Sequence, residues 1–150
     1  CVVVPNKFLK HKVERGLNTD EVAESNAFAM SANIAGFKYG DEWVCKLNNY
    51  IYENKKIFCD YVNKNLPKLY IIPSEATYLL WVDVRKYTDD ATTLCEYLRS
   101  KTGLYVCEGS EYGVNGKAFF RINLATSKYN VLDALERLKA GLELFESETK

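Results

Sequence analysis

The spacing of the apolar residues changes near Pro67, and this change is the strongest constraint on the fold. Before Pro67 apolar residues recur every three or four positions, as on one face of a helix. After Pro67 they alternate with polar residues, as in strands that bury one face. A chain of 150 residues, about the length of one domain, is therefore predicted to place its helices first and a sheet later.

The first part of the chain predicts three helices. The segment "KFLKHKVER" forms the first, which we expect to end at Gly16 in a left-handed cap. The second begins at an N-cap, Asn18 or Thr19, and ends at Gly40. Its apolar face contains Val22, Ala29, Met30, Ile34 and Phe37. The third helix is capped by Asp41 and extends from Glu42 to about Leu66. Its apolar stripe contains Trp43, Leu47, Tyr50, Ile51, Ile57, Phe58, Tyr61 and Val62.

Four strands and two helices are predicted after Pro67. "LYII" and "TYLLWVDV" read as paired strands separated by the turn "PSEA". A helix from Asp90 to Lys101, ended by Gly103, separates them from the strands "LYVC" and "KAFFRINLA". Ser127 caps a last helix, whose apolar seam contains Val131, Leu135, Leu138, Leu142 and Phe145. The resulting β-β-α-β-β-α unit predicts an α/β two-layer sandwich, with helices on at least one face of the sheet.

Composition excludes several classes of function. Basic and acidic residues are equal in number, so no net charge favours nucleic-acid binding. No apolar run approaches the roughly 18 residues of a membrane helix. The five cysteines follow neither a metal-binding spacing nor a disulfide framework, and we interpret them as reduced, mostly buried thiols of a cytoplasmic protein. His11 has no second histidine for a metal site or a triad, and we expect it at the surface.

Arg121 lies inside the apolar strand "GKAFFRINLA" and needs an explanation. Alternation places Arg121 and Asn123 on one face of the strand, beside the glycine-rich loop "EGSEYGVNG". A charge removed from water costs several kcal/mol unless it is paired. Arg121 therefore either pairs with an acid across the sheet, such as Asp83 or Glu108, or binds the carboxylate of a ligand through its planar guanidinium.

Two longer segments resemble a known family. "NKNLPKLYIIPSEATYLLWVDVR" and "VCEGSEYGVNGKAFFRINLATS" are similar to the C-terminal part of class I/II aminotransferase-fold enzymes, the fold-type I pyridoxal-phosphate (PLP) proteins. The cystathionine β-lyase-like C–S lyases are the most similar subgroup. The resemblance implies that residues 1–40 are the end of the large PLP domain and a connecting helix. Residues 41–150 then form the C-terminal small domain of that fold, including the long interdomain helix.

The resemblance also implies roles for individual residues. Arg121 occupies the position that binds the α-carboxylate of the amino-acid substrate, with Asn123 as an orienting neighbour. Gly109, together with Gly113 and Gly116, shapes a loop close to the substrate. In this family a segment like "GLNTDEVAESN" approaches the active site of the neighbouring subunit, which implies a homodimer. We interpret Tyr78 and Trp81 as core aromatic residues rather than substrate contacts.

The family's catalytic lysine is expected upstream of this chain. It precedes a strand that resembles "CVVVPNK", so none of Lys7, Lys10 and Lys12 has its context, and we expect no catalytic residue in this chain. PLP would bind only to a longer protein, and this chain alone should be inactive. The absence of an initial methionine favours a piece of an aminotransferase or a C–S lyase. The alternative is a stand-alone, non-catalytic amino-acid-binding or regulatory module.

Overall fold

The computed structural model describes residues 2–19 and 26–148. The chain divides into two compact units, Cys1–Cys45 and Lys46–Lys150. The first unit contains helices α1 (Lys7–Thr19) and α2 (Ala29–Tyr39) and the beginning of α3 (Asp41–Asn65). The second contains the rest of α3, β1 (Tyr70–Ile71), β2 (Leu79–Asp83), α4 (Ala91–Thr102), β3 (Cys107–Glu108), β4 (Phe119–Asn123) and α5 (Lys128–Glu148).

The ends of the first two helices differ from the sequence prediction. α1 begins at the side chain of Asn6, which accepts hydrogen bonds from the backbone N–H groups of Phe8 and Leu9. It passes through Gly16, which does not adopt the left-handed conformation that a cap would need. Asn18 and Thr19 are therefore the last residues of α1 and not the N-cap of α2, so that prediction was wrong.

Other predictions in the first unit have mixed outcomes. α2 ends at Gly40 as predicted, and it has no buried residue among those described. Val22 and most of the segment "GLNTDEVAESN" lie outside the described residues. The segment "CVVVPNK" resembles a strand of the family, but residues 2–5 form no strand in the described part of the chain. His11 is exposed, as predicted.

The second unit contains one antiparallel sheet with the strand order β1-β2-β4-β3. The predicted β-β-α-β-β-α order and the pairing of the first two strands are confirmed. All five residues of β2 pair with the five of β4, with Trp81 opposite Arg121 in the middle. β3 is shorter than predicted, because only Cys107 and Glu108 pair with β4.

Helices α3, α4 and α5 cover one face of this sheet, which makes the unit a two-layer structure. Alternation turns Leu80 and Val82 of β2 and Phe120 and Ile122 of β4 toward the helices. The helices contribute Phe58, Val62, Ala91, Leu94, Leu98, Val131, Leu135, Leu138, Leu142 and Phe145 to the same core. Each fully buried Leu or Phe stabilises the fold by about 1.5–3 kcal/mol.

The helix ends of the second unit agree with the prediction. The side chain of Asp90 accepts a hydrogen bond from the backbone N–H of Thr92 at the start of α4. Gly103 ends that helix with a φ of 72°, in the left-handed region that glycine tolerates. Ser127 caps α5 by accepting a bond from the N–H of Asn130. No helix in the described ranges has an apolar stretch long enough to span a bilayer.

The cysteines are less buried than predicted. Those at 45, 59, 95 and 107 are free thiols, and Cys1 lies outside the described residues. Cys95 is buried, Cys59 and Cys107 are half-buried, and Cys45 is exposed. The prediction of mostly buried thiols was therefore wrong, because alternation places Cys107 on the face of the sheet that no helix of this unit covers.

Asn54 on α3 is a buried polar residue that the sequence prediction missed. Its side chain is 1% exposed, and its Nδ2 donates to the carbonyl of Leu124 at 3.0 Å and to that of Thr126 at 2.9 Å. The only sequence signal is its spacing, since Asn54 stands four and eight residues before the buried Phe58 and Val62. The amide fixes the chain where it leaves β4.

We expect an Asn54→Leu substitution to lower the free energy of unfolding by about 2–3 kcal/mol, because two buried carbonyls lose their donor. Urea denaturation followed by circular dichroism measures this change. Asn49→Leu is the matched control: it alters an exposed asparagine of the same helix and should change the stability by less than about 0.5 kcal/mol. Equal effects from both substitutions would contradict the role of Asn54.

Candidate functional site

The face of the sheet opposite the helices, called the outer face here, carries the candidate site. Trp81 of β2 pairs with Arg121 of β4, and Arg121 pairs with Cys107 of β3. Residues that pair directly across antiparallel strands share a face. These three side chains therefore form a row across three strands, with the arginine in the middle.

Arg121 is half-buried, and its guanidinium contacts two uncharged side chains, those of Cys107 and Tyr112. Its Nη2 donates to the Sγ of Cys107 at 3.6 Å, and sulfur is a weak acceptor. The ring of Tyr112 lies 4.5 Å from the guanidinium carbon, in a cation–π contact. Partial burial raises the pKa of Tyr112, and the charge of Arg121 opposes this effect only in part, so the ring remains neutral at pH 7.

Neither acid considered as a partner for Arg121 is available to it. Asp83 accepts hydrogen bonds from the backbone N–H of Arg85 at 2.9 Å and from its Nε at 2.9 Å. Glu108 accepts from the hydroxyl groups of Thr92 and Ser110. The hypothesis of an ion pair with Asp83 or Glu108 is therefore wrong, and Arg121 has no salt bridge with any carboxylate of residues 2–19 and 26–148.

The glycine-rich loop places Tyr112 over Arg121. It consists of two 3₁₀ turns, Gly109–Tyr112 and Val114–Gly116, and closes where the backbones of Gly109 and Gly116 touch. A Cβ on Gly109 would lie 2.7 Å from the carbonyl oxygen of Phe119 and 2.7 Å from the ring of Trp81. Gly109 therefore has a structural reason for being glycine, because only glycine permits this approach.

Asn123 lies on the same face as Arg121 but at the exposed end of β4. Its Oδ1 accepts a hydrogen bond from the backbone N–H of Ala125 at 2.8 Å, which forms an Asx turn. The structure records no contact between Asn123 and Arg121 among the described residues. Asn123 thus has a local role at the end of the strand. Its amide nitrogen donates no hydrogen bond to another described residue.

Trp81 and Tyr78 are not core residues, in contrast to the sequence interpretation. Trp81 belongs to the outer face, and Tyr78 is 43% exposed. For Trp81 the interpretation failed because alternation alone does not say which face of a strand the helices cover, whereas Tyr78 precedes the first residue of β2, Leu79.

An apolar groove lies beside the row. We call it the aromatic groove; it has a volume of about 320 Å³ and is lined by Ile72, Trp81, Tyr112, Asn115, Gly116 and Phe119. The rings of Trp81 and Tyr112 meet edge to face with centroids 5.4 Å apart, and those of Trp81 and Phe119 at 6.1 Å. The sequence prediction missed this groove, which depends on the loop returning over the sheet.

Comparisons with known proteins identify the family of this fold. The model of the family "Aminotransferase class I and II" matches residues 12–138, which is most of the chain. The chain belongs to the class I and II aminotransferase family. This membership confirms the family that the two segments of the sequence analysis resemble.

Among the relatives of this aminotransferase-family chain are two curated bacterial proteins. Cystathionine beta-lyase PatB of Bacillus subtilis is 28% identical over 142 residues, which cover 95% of the chain and 37% of PatB. Protein MalY of Escherichia coli is 28% identical over 123 residues, which cover 82% of the chain and 30% of MalY. The chain thus spans about a third of the length of these relatives.

Solved structures of the family have the same fold. Cystalysin from Treponema denticola, which contains a pyridoxal 5'-phosphate cofactor, superimposes with a TM-score of 0.88 at 25% identity. The match covers 94% of this chain and 36% of cystalysin. A PLP-bound C–S lyase from Staphylococcus hominis gives a TM-score of 0.80 at 25% identity and covers 93% of this chain and 34% of the lyase.

The lining of the aromatic groove does not fit a PLP site. Such a site needs a lysine that forms a Schiff base with the cofactor. No lysine lines the aromatic groove. In the second unit, Lys55 donates to the carbonyl of Ser74, and Lys68 and Lys101 pair with Glu146 and Glu148. These lysines stabilise the fold instead.

The Asp83–Arg85 pair predicts a pH-dependent stability. Hydrogen bonds from Arg85 are the main reason why the pKa of Asp83 is below its usual value, and burial acts in the opposite direction. A carboxylate with a lowered folded-state pKa stabilises the protein above its unfolded pKa of about 4. We expect Asp83→Asn to be less stable than the parent at pH 7, and the difference to shrink as the pH falls below about 4. Thermal unfolding between pH 2.5 and 7 measures it; a difference that does not vary with pH would contradict the pairing.

The close approach of the Gly109 and Gly116 backbones at the base of the loop gives a second prediction. Gly109→Ala places a methyl group against the backbone of Phe119 and the ring of Trp81, so we expect a loss of about 1–3 kcal/mol of stability. Gly16→Ala is the matched control, because a Cβ there meets no atom within 4 Å and alanine favours a helix. Denaturant unfolding compares the stability of the two variants. A Gly109→Ala protein as stable as the parent would show that the backbone around Gly109 is not closely packed.

Proposed function

We propose that this chain supplies the substrate-carboxylate site of a PLP-dependent aminotransferase or C–S lyase that acts on amino acids. In this proposal Arg121 binds the α-carboxylate. The observation that carries it is the half-buried guanidinium, which forms no salt bridge in the described part of the chain although Asp83 and Glu108 lie on neighbouring strands. Both acids bind other groups, which leaves the charge of Arg121 for a ligand.

The neighbours of Arg121 suit a binding role. Tyr112 lies against one face of the guanidinium, and Cys107 accepts a single N–H, so the remaining N–H donors can still bind a carboxylate in a bidentate way. Because these contacts already restrict the side chain, less rotamer entropy is lost when the ligand binds. A charge-assisted pair at a partly desolvated position is stronger than one at the open surface.

Two other residues of the sequence prediction have proposed supporting roles. Asn123 is proposed to orient the substrate through its amide nitrogen, since its Oδ1 is already bonded to Ala125. Gly109 is proposed to act through the loop: the close approach of its backbone to Gly116 holds Tyr112 beside Arg121. Neither residue contributes a charge to the site.

The cofactor is proposed to bind outside this chain. PLP, when bound, acts as the electron sink for reactions at the Cα of an amino acid. Because no lysine lines the aromatic groove, we infer that the chain alone is inactive and that a longer, homodimeric cytoplasmic protein carries the activity. In the same proposal residues 1–40 belong to the large domain and residues 41–150 to the small domain.

A second candidate function is a non-catalytic amino-acid-binding module. It is supported by the position of the whole row, Trp81, Arg121 and Cys107, within the unit Lys46–Lys150. An absorbance titration with PLP, followed by borohydride reduction and mass spectrometry, tests whether this chain alone forms a covalent adduct with PLP. A specific, stoichiometric PLP–lysine adduct on this chain alone would contradict the proposal that the cofactor binds elsewhere.

The main test is the substitution Arg121→Ala in a protein that joins this chain to a PLP-binding segment. We expect kcat/KM for an amino-acid substrate to fall by about 3 kcal/mol, or roughly 150-fold, because a charge-assisted pair is lost. Arg99→Ala, at an exposed arginine of α4, is the matched control and should change kcat/KM less than about twofold. A decrease of less than about threefold for Arg121→Ala would rule out the carboxylate role.

A further inference from the structure

We propose that the aromatic groove holds the side chain of the bound amino acid and selects side chains that are apolar and uncharged. This inference rests on the proposed role of Arg121 and names the substrate class of the same site. The groove volume of about 320 Å³ lies at the lower end of the range for small-molecule pockets, about 300–1,000 Å³.

The groove and Arg121 share two residues, so one ligand can reach both. Tyr112 lies against the guanidinium of Arg121 and is also a wall of the groove. Trp81 pairs with Arg121 across the sheet and forms the adjoining wall. Arg121 therefore lies next to two residues that form walls of the groove.

The lining of the groove explains the preference for uncharged side chains. None of its six residues is charged, and the only side-chain amide is that of Asn115. Arg85 is a cation beside the groove, and its guanidinium lies 5.7 Å from the centroid of Phe119. Asp83 already neutralises Arg85, so a second carboxylate in the groove would lose its hydration without gaining a partner.

Ile72 and Phe119 complete an apolar surface. The N–H of Ile72 donates to the carbonyl of Trp81 at 3.0 Å, which continues the pairing of β1 with β2 and places Ile72 opposite Trp81 on the outer face. Phe119 lies opposite Asp83 on the same face and packs edge to face on Trp81. An alkyl, thioether or aromatic side chain covering these residues removes their apolar area from water, which favours binding.

The test uses the full chain and three ligands of known chemistry. L-norleucine carries the carboxylate and an apolar side chain, L-aspartate carries a charged side chain, and L-norleucinamide lacks the carboxylate. Binding is followed by NMR through the indole N–H of Trp81 in the groove. The only other tryptophan, Trp43, belongs to the other compact unit and serves as the internal reference. We expect L-norleucine to bind about tenfold more tightly than either of the other ligands.

Substitutions separate the groove from the carboxylate site. Ile72→Trp and Asn115→Trp fill the groove from two sides and should abolish the preference for norleucine over aspartate, while Arg121→Ala should weaken the binding of both. Val114→Trp is the matched control, because Val114 is 91% exposed in the same loop and does not line the groove. Circular dichroism selects the variants that fold.

The two proposals fail in different ways. If binding depends on Arg121 but aspartate binds as well as norleucine, or both filled variants keep the preference, the inference about the groove is wrong and the carboxylate role stands. If norleucinamide binds as tightly as norleucine, the groove is not a subsite of the carboxylate site. If no ligand binds in a way that depends on Arg121, the carboxylate role fails and the inference fails with it.

Discussion

The pairing of β2 with β4 is the interaction on which the rest of the second unit depends. Each of the five residue pairs in this ladder assigns two side chains to one face, so the register decides at once what is core and what is site. Leu80 and Ile122 pair toward the helices, while Trp81 and Arg121 pair toward the outer face. A slip of one residue would bury the guanidinium among the leucines of α4 and α5, at a cost of several kcal/mol. The core and the candidate site thus stabilise the same register.

The outer face carries the charge of Arg121, which pairs with no carboxylate among residues 2–19 and 26–148. A structural arginine at this position would bind Asp83 across the strands, but Asp83 is bonded to Arg85, and Glu108 pairs with Phe120 on the face toward the helices. The loop that covers the row adds a neutral ring in place of an acid. Its closure requires two glycines, Gly109 and Gly116, whose backbones come too close for any side chain. This arrangement leaves Arg121 in contact with Tyr112 and Cys107 and without a salt bridge among the described residues, as the proposed anion-binding role requires.

Family membership and site geometry support different parts of the conclusion. The match over residues 12–138 shows an aminotransferase-family fold. The relatives include a protein named cystathionine beta-lyase and another named C–S lyase. One fold supports several reactions, so the fold alone does not select one. The geometry adds a half-buried arginine that forms no salt bridge among the described residues, and an apolar groove, both within a single unit of the chain. Under the proposed function both features concern the substrate, and the choice of reaction depends on residues around the cofactor.

The sequence by itself determined the order of the elements in the second unit, the helix ends at Gly103 and Ser127, and the special position of Arg121. These follow from local rules: apolar period, capping chemistry and the cost of a charge in an apolar strand. Only the tertiary structure decided that Trp81 faces outward, that Asn54 holds the chain after β4, and that Tyr112 rather than an acid accompanies Arg121. Each of these depends on segments distant in the chain, because a strand pattern defines two faces without saying which one the helices will cover.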